Sequence, residues 1–382
     1  MADHPRDGMR GVGFNLPHAV PLPDISPVMR PHAPRVAILV DTATGWGRRL
    51  VYGVMAYARK HGPWHIWVEP RGQQEHLRTP PGWAGEGIIA RVATKAMARE
   101  LTDQRLPIVN VSGIQLRGAP DFPRVTTDLR AAGNLAASHF LDRGFSNFAY
   151  VGMSRLAYVR EYARGFVETV EARKHSCHIY RPLTSATGWK EQQAELGQWL
   201  RALPKPLALF AWGLRGLSVL EACHSAGLRV PAEVAVLAGD EDDLLCEAAN
   251  PPLSGVETPT ELIGHEAAAT LDRLMKKLSP PPEPQLFAPT RIVTRQSTDT
   301  LAIEDPEVAA AVQFIRDNAA QPHVDVPAVL RAVPISRRAL ERRFEQVFGH
   351  TPAEEIRRVR LDRARQLLLE TDMPIPNVAT AA

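Results

Sequence analysis

From Arg35 to Leu278, short apolar runs alternate with amphipathic stretches of helical length, and this alternation constrains the fold more than any other feature. Val36–Val40 is an apolar run closed by Asp41, the pattern of a buried strand. Trp46, Leu50, Val54 and Tyr57 then recur at helical spacing. His65–Val68 and Gly87–Val92 read as strands, 95–104 as a helix and Ile108–Val111 as a strand. Four helix–strand pairs follow: 128–142 with Phe148–Gly152, 159–172 with His178–Arg181, 189–202 with Leu207–Ala211, and 214–226 with Val234–Ala238. A helix over 260–278 closes the series. Strands joined by helices build parallel sheets, because a parallel neighbour is reached only through a crossover. About 260 residues exceed one doubly wound sheet, so the expected fold is α/β and two-lobed, with helices on both faces of parallel sheets. Ligands on such sheets bind beyond the carboxyl ends of the strands.

Residues 1–34 hold seven prolines and no apolar period, and read as a disordered tail. The stretch 279–290 is proline-rich and reads as a stiff connection, with Arg291–Arg295 returning as a last strand. Asp305 is placed to cap a helix over 305–319, with Pro306 at its first position. From there the chain is all helical, so the expected division is a tail over 1–34, a sensor over 35–298 and a helical domain over 305–382. A short helix over Val326–Val333 and a turn at Pro334–Ile335 precede Ser336, a good N-cap. Leu340, Phe344, Val347 and Phe348 follow at helical spacing, and Gly349 ends the run. Thr351, Pro352 and Glu354 form a capping-box start for a long helix over 352–370.

Ten arginines and five acids lie between Arg331 and Arg365. Helix, short turn, helix is a DNA-binding geometry whose second helix reads the major groove. Arg337, Arg338, Glu341 and Arg342 lie along the exposed face of that helix. Arginine forks guanine, and glutamate accepts from the cytosine amino group. Arg343, Arg357 and Arg358 are placed for phosphates, which position without reading sequence. The competing reading is a solvated helical hairpin. The formal charge of +3 does not decide between them, since residues 305–382 hold eleven arginines and eleven acids.

Other chemistries are not supported. The three cysteines are scattered and odd in number, which points to a reducing cytoplasm. No run approaches the roughly 20 apolar residues of a membrane span. His175, Cys177 and His178 lack a second cluster to complete a zinc site, so no metal is expected. No phosphate-cradling loop or nucleophile elbow occurs, and neither a catalytic residue nor a cofactor is expected. The acids at 240–243 leave glycoside cleavage as a remote enzymatic alternative.

Residues 305–370 resemble the first half of the DNA-binding domain of the arabinose-operon-regulator (AraC) family. The likeness lies in the reader S-R-R-A-L-E-R-R-F, the G-H-T-P turn, and the R-x-x-R-L-x-x-A-x-x-L-L run from Arg357. It implies that Arg338, Glu341 and Arg342 read bases. Met373–Ala382 is similar to the start of a second helix-turn-helix, whose reader helix the resemblance would place further on, so a shortened DNA-binding half is expected.

V-T-T-D at 125–128, G-L-R-V-P at 227–231, A-G-D-E-D-D at 238–243 and P-P-L-S-G-V at 251–256 resemble the sugar-sensing domain of lactose-repressor-like regulators, relatives of periplasmic sugar-binding proteins. V-D-T-A-T-G-W-G-R at 40–48, Y-A-R-K-H-G-P-W at 57–64 and V-T-R-Q-S-T-D at 293–299 are similar to a family of xylose-responsive operon activators that join such a sensor to an AraC-type tail. The resemblance implies a small xylose-like sugar effector bound by Asp41, Trp46, Arg48, Asp128, Trp189 and Asp240. Sugars do require carboxylates for hydroxyls and a flat aromatic for the ring face. The competing roles are helix capping for the aspartates, core packing for the tryptophans and ion pairing for Arg48. Two positions depart from the related sensors: Tyr162 stands where an arginine is common, and Trp212–Gly213 where a polar residue and an aspartate are. The expectation is a cytoplasmic, sugar-responsive regulator, a homodimer acting on operator DNA and contacting RNA polymerase, with no membrane partner. The alternative is a cytoplasmic sugar-binding module whose shortened tail no longer binds DNA specifically.

Overall fold

Valine, isoleucine and alanine fill β1 (Arg35–Leu39) and β3 (Gly87–Ala90), and both strands are buried as parallel strands between helix layers must be. The structure, a computed structural model, describes residues 33–70, 77–152, 157–182, 188–303, 305–318, 321 and 324–382, without the side chains of 157–159, 366, 369 and 370. The tail expected over residues 1–34 lies outside the described residues as far as residue 32. Pro34–Ala382 forms one unit, to which all that follows belongs.

In the first lobe, α1 (Gly45–His61), β2 (His65–Val68), α2 (Lys95–Asp103) and β4 (Ile108–Asn110) join β1 and β3 in a parallel sheet of order β2-β1-β3-β4. The chain leaves through β5 (Val125–Thr127) into the second lobe. There α3 (Leu129–Leu141), β6 (Asn147–Val151), α4 (Ala157–Ala172), β7 (Cys177–Ile179), α5 (Trp189–Ala202), β8 (Leu207–Ala211), α6 (Arg215–Ala226) and β9 (Val234–Ala238) alternate as expected. Next come α7 (Asp243–Ala248) and β10 (Ser254–Glu257). Then α8 (Thr260–Met275) returns to pack on the first lobe, where Ile263 and Leu271 join Leu50 and Val54 of α1 in one core. β11 (Gln285–Phe287) pairs in parallel with β5, and β12 (Arg291–Val293) runs antiparallel to β10. The second sheet has the order β12-β10-β9-β8-β6-β7.

Sequence periodicity missed β5, β10 and β11, because strands of three or four residues are too short to show an alternation. The proline-rich connection is thus not wholly a linker: its second half supplies β11.

Two helix pairs meet backbone to backbone. A Cβ on Gly53 of α1 would lie 1.9 Å from Glu261 O of α8, and one on Gly264 of α8 2.2 Å from Leu50 O. In the second lobe a Cβ on Gly133 of α3 would lie 2.3 Å from Tyr162 O, and one on Gly165 of α4 2.1 Å from Arg130 O. No side chain fits in either crossing without separating the helices.

Five helices follow: α9 (Pro306–Asn318), α10 (Val326–Ala332), α11 (Arg337–Phe348), α12 (Pro352–Glu370) and α13 (Ile375–Ala381). The caps predicted at Asp305, Ser336, Gly349 and Thr351 are present. Asp305 Oδ1 accepts from Glu307 N and Val308 N, each at 3.1 Å. Ser336 Oγ accepts from Ala339 N at 3.3 Å, Gly349 closes α11 at φ 70°, and Thr351 and Glu354 form a complete capping box. Leu340, Phe344 and Phe348 join Val308, Val312 and Ile315 in one core, whereas Val347 is 38% exposed.

This helical unit docks on the end of α3. Arg358 Nη1 of α12 reaches Asp142 Oδ2 at 2.5 Å, and Arg316 Nη2 of α9 donates to Asp142 O at 2.9 Å. The fully buried Glu355 carboxylate accepts from Arg358 at 2.7 Å and lies 3.0 Å from His350 Nε2. Burial alone would push this carboxyl up, but His350 and Arg358 outweigh it and hold it at about 2. The bond to Glu355 in turn raises His350 above its ordinary 6.5.

Three outcomes are expected. Gly165→Val should separate α3 from α4 and destabilise the chain by about 1–3 kcal/mol, read as a lower urea midpoint. Glu355→Ala should cost about 1–3 kcal/mol by the same measurement, because it removes the carboxylate shared by Arg358 and His350 while Asp142 still pairs with Arg358. The His350 contribution is complete below pH 6.5 and is lost as pH rises through its elevated folded value. A series of thermal midpoints from about pH 5.5 to about pH 8.5 should therefore fall more steeply for the parent than for His350→Gln.

Candidate ligand cleft and nucleic-acid interface

The carboxyl ends of the strands carry the charged residues of the cleft. Asp41 follows β1, Arg91 follows β3 and Asp240 follows β9. Asp41 is 3% exposed and its carboxylate is hydrogen-bonded and ion-paired to Arg91. The Arg91 guanidinium lies 5.6 Å from the ring centroid of Trp46, a cation–π arrangement at the start of α1. In the second lobe the Tyr162 hydroxyl of α4 lies 3.4 Å from both Asp240 Oδ1 and Gly239 O. Burial pushes the Asp240 carboxyl up, against the pull of Arg91 and of the Tyr162 hydroxyl.

The loop after β9 also binds the first lobe. Asp242 Oδ2 accepts from Gly45 N at the start of α1 (2.6 Å), while its Oδ1 caps α7 through Leu245 N (3.3 Å). Arg49 Nη2 donates to Glu241 O at 2.5 Å. Gly47 admits the close approach of α1 to the β1 end, since a Cβ there would lie 2.1 Å from Asp41 O.

Asp41, Trp46 and Asp240 are thus brought together around Arg91. Arg48 sits beside them but holds Thr42 O and Ala43 O at 3.2 and 3.0 Å, with Asp242 at 3.9 Å, so its guanidinium fixes the loop before α1. Asp128 caps α3, its Oδ1 accepting from Ala131 N at 2.9 Å. Trp189, at the first turn of α5, is 64% exposed, with neither a hydrogen bond nor a ring contact among the described residues. Arg91 was missed by the sequence reading, although it has a signal: it is the charged residue closing the apolar run Gly87–Ala90, as Asp41 closes β1. Tyr162, seen only as a departure, occupies a built position opposite Asp240.

On the helical unit, α10 and α11 form the expected helix-turn-helix, with Arg337, Arg338 and Arg342 exposed on α11. Arg337 pairs with Glu341 at 2.9 Å, and Arg338, Arg342 and the exposed Arg357 form no ion pair among the described residues. Two expected phosphate contacts are corrected. Arg343 is neutralised by Asp305 at 3.0 Å and Glu307 at 3.2 Å, tying α11 to the head of α9. Arg358 is engaged by Asp142 and Glu355 in the dock on the sensor. Both guanidiniums already have carboxylates, which sequence spacing could not reveal because Asp305 and Glu307 lie more than thirty residues from Arg343, and Asp142 more than two hundred from Arg358.

Two helices join the regions. α3 starts at its cap Asp128 and ends at Asp142, under α9 and α12. α4 carries Tyr162, and just beyond its end Arg173 Nη1 donates to Phe348 O, the last residue of α11, at 3.1 Å.

Comparison with known proteins agrees with this architecture. The family model described as XylR N-terminal domain matches residues 35–130, the periplasmic binding protein-like domain residues 137–298, and a helix-turn-helix domain residues 329–382. The chain is 30% identical over 357 residues to the xylose operon regulatory protein of Escherichia coli (strain K12), covering 90% of each. It is also 30% identical over 352 residues to that of Haemophilus influenzae, again covering 90% of each. A solved structure of the xylose-binding transcription activator xylR superposes with a TM-score of 0.64 at 29% identity, covering 92% of this chain and 93% of that one. The transcription regulator CcpA of Lactococcus lactis, at 17% identity and a TM-score of 0.56 over 70% of this chain, shares the fold. A two-lobed periplasmic-binding-protein-like α/β sensor carrying a C-terminal helix-turn-helix, related to these proteins along nine-tenths of its length, makes this chain a member of the xylose operon regulatory protein family.

Proposed function

We propose that this chain is a sugar-responsive transcription regulator of the xylose type, an activator of pentose-use genes working in the cytoplasm. The observation that carries the reading is the buried Asp41 with its half-buried partners Arg91 and Trp46, facing Asp240 and Tyr162, in one compact unit with exposed arginines on a reader helix. The domains are a sensor over 35–298 and a DNA-binding domain over 305–382. Xylose lies between the lobes, with Asp41, Arg91 and Asp240 taking its hydroxyls and Trp46 its ring face. Asp128 contributes its second carboxylate oxygen, since Oδ1 caps α3. Arg48 holds the loop that shapes the cleft.

Arg338, Glu341 and Arg342 read base edges of operator DNA, while Arg337 and Arg357 steer onto phosphates. The active species is a homodimer, as paired half-sites require, and it contacts RNA polymerase. Sugar binding between the lobes shifts Tyr162 and Asp128, and the shift reaches the DNA-binding domain through the far ends of α4 and α3. That coupling is worth the differential affinity of the sugar for two arrangements, on the order of 1–3 kcal/mol.

The deciding experiment is fluorescence anisotropy of the full chain on a xylose-operon operator duplex and a random duplex at fixed salt, with and without xylose. Tighter, xylose-dependent binding to the operator supports the proposal, and equal xylose-independent binding to both overturns it. Arg338→Ala should weaken operator binding by about 1–3 kcal/mol and leave random-duplex binding almost unchanged; an equal loss on both would remove its base-reading role. Asp240→Asn should spare DNA binding and abolish the xylose response. Arg173→Ala should keep xylose affinity, measured by calorimetry, while diminishing the effect of xylose on operator affinity.

A further inference from the structure

The loop after β9 holds four acids in a row, Asp240 to Asp243. Asp240 faces Tyr162 in the cleft, and Asp242 binds Gly45 N of the first lobe. Glu241 lies between them and is 7% exposed. Its two carboxylate oxygens go to two arginines: Oε1 accepts from Arg295 Nη2 at 2.8 Å, and Oε2 lies 3.6 Å from Arg49 Nη1. Arg49 belongs to α1 of the first lobe, and its Nη2 also donates to Glu241 O at 2.5 Å. The backbone at Glu241 has little play. Its N–H donates to Val256 O at 3.1 Å, and a Cβ on Gly255 of β10 would lie 3.0 Å from Glu241 Cα.

Arg295 stands just after β12, where the connection to the helical unit begins. Its side chain is 10% exposed, with Nε donating to Glu247 Oε1 at 2.5 Å and Nη1 to Leu253 O at 3.1 Å. Its N–H and C=O both bond to Ser254 Oγ, at 2.8 and 3.0 Å. The residues that follow are braced in the same way. Ser297 Oγ donates to Val236 O at 2.7 Å, and Thr298 Oγ1 lies 2.8 Å from Ser254 Oγ and 3.0 Å from His139 Nε2. Ala302 N donates to Arg143 O at 2.8 Å, and Leu301 and Ile303 pack against the core of the helical unit. A displacement at Arg295 is carried along this segment, because a buried donor or acceptor left unpaired costs about 1–3 kcal/mol.

We propose that Glu241 is a positioning residue for the sugar response: it ties the first lobe, held through Arg49, to the connection with the DNA-binding domain, held through Arg295. The proposal rests on the reading of the cleft as a sugar site. Asp240 takes the sugar one residue before Glu241, so closure of the lobes tightens Arg49 on one carboxylate oxygen and draws the other against Arg295. The two oxygens of a carboxylate share one rigid plane and cannot move independently, and bonds between charged partners are strong and directional. This link runs beside the α3–α4 crossing and uses neither Tyr162 nor Arg173.

The test changes Arg49 in the full chain, since its side chain is 26% exposed and its loss disturbs the core little. In hydrogen exchange without sugar or DNA, Arg49→Gln should speed exchange of peptides covering 295–303 by about threefold or more, with peptides of β6 and β8 unchanged. Calorimetry should show that Arg49→Gln still binds xylose. At saturating xylose, however, the change in operator affinity should shrink by about threefold or more, and Arg49→Lys should recover part of it. Glu241→Gln should reproduce the loss, and the double variant should lose no more than either single one, as residues acting through one carboxylate do. Unchanged exchange over 295–303, a full xylose response in Arg49→Gln, or an additive loss in the double variant overturns the proposal. Loss of xylose binding in Arg49→Gln also overturns it, by making Arg49 part of the cleft. A parent chain without any xylose response sinks the sugar reading instead, and the exchange measurement, which needs no sugar, still decides whether Arg49 and the connection are linked.

Discussion

The approach of α3 to α4 is the constraint on which the rest of the structure depends. With glycine on each side of the crossing, the two backbones touch and no side chain lies between them to slide or re-pack. Packed interiors respond to displacement by moving elements as bodies, because close-packed surfaces deform little. The pair therefore behaves as a single strut. One end carries the cap Asp128, with Tyr162 facing Asp240 at the cleft, and the other carries Asp142 and Arg173 beneath α12 and α11. A sensor and a reader that are far apart in sequence are thereby mechanically adjacent.

Several charges are placed where water is scarce, each with a partner that explains it. Asp41 is matched by Arg91, Glu241 by Arg295 at 2.8 Å, and Glu355 by Arg358 and His350. Buried pairs of this kind add little net stability compared with apolar packing, yet they are costly to break. Their value here is geometric: each one fixes the relative position of two elements with a directional bond. Asp242 is the most economical case, since one carboxylate caps α7 in the second lobe and binds the start of α1 in the first.

Much of this was legible beforehand. Long helices with strong periodicity, the caps at Asp305, Ser336, Gly349 and Thr351, and the strand ends at Asp41 and Asp240 all appear where local chemistry puts them. Short-range rules suffice for such features, because a cap or an amphipathic face is satisfied within a few residues. Strands of three residues such as β5 and β11 carry no such signal, and they form only because the lobes must be joined by paired backbone. The functional face of α11 was half legible: Arg338 and Arg342 stand exposed, while Arg343, adjacent in sequence, turns to Asp305 and Glu307.

What the sequence determined by itself is the class of fold, the order of its elements, the caps of its helices and the two kinds of site, since each follows from residue type and spacing along one element. Only the tertiary structure decided which charges remain free. Arg91 enters the cleft, and Arg358 docks on Asp142. The reason is that a long cationic side chain takes whichever carboxylate or carbonyl the fold brings within a few ångströms, and those partners come from elements that the chain separates by about two hundred residues or more.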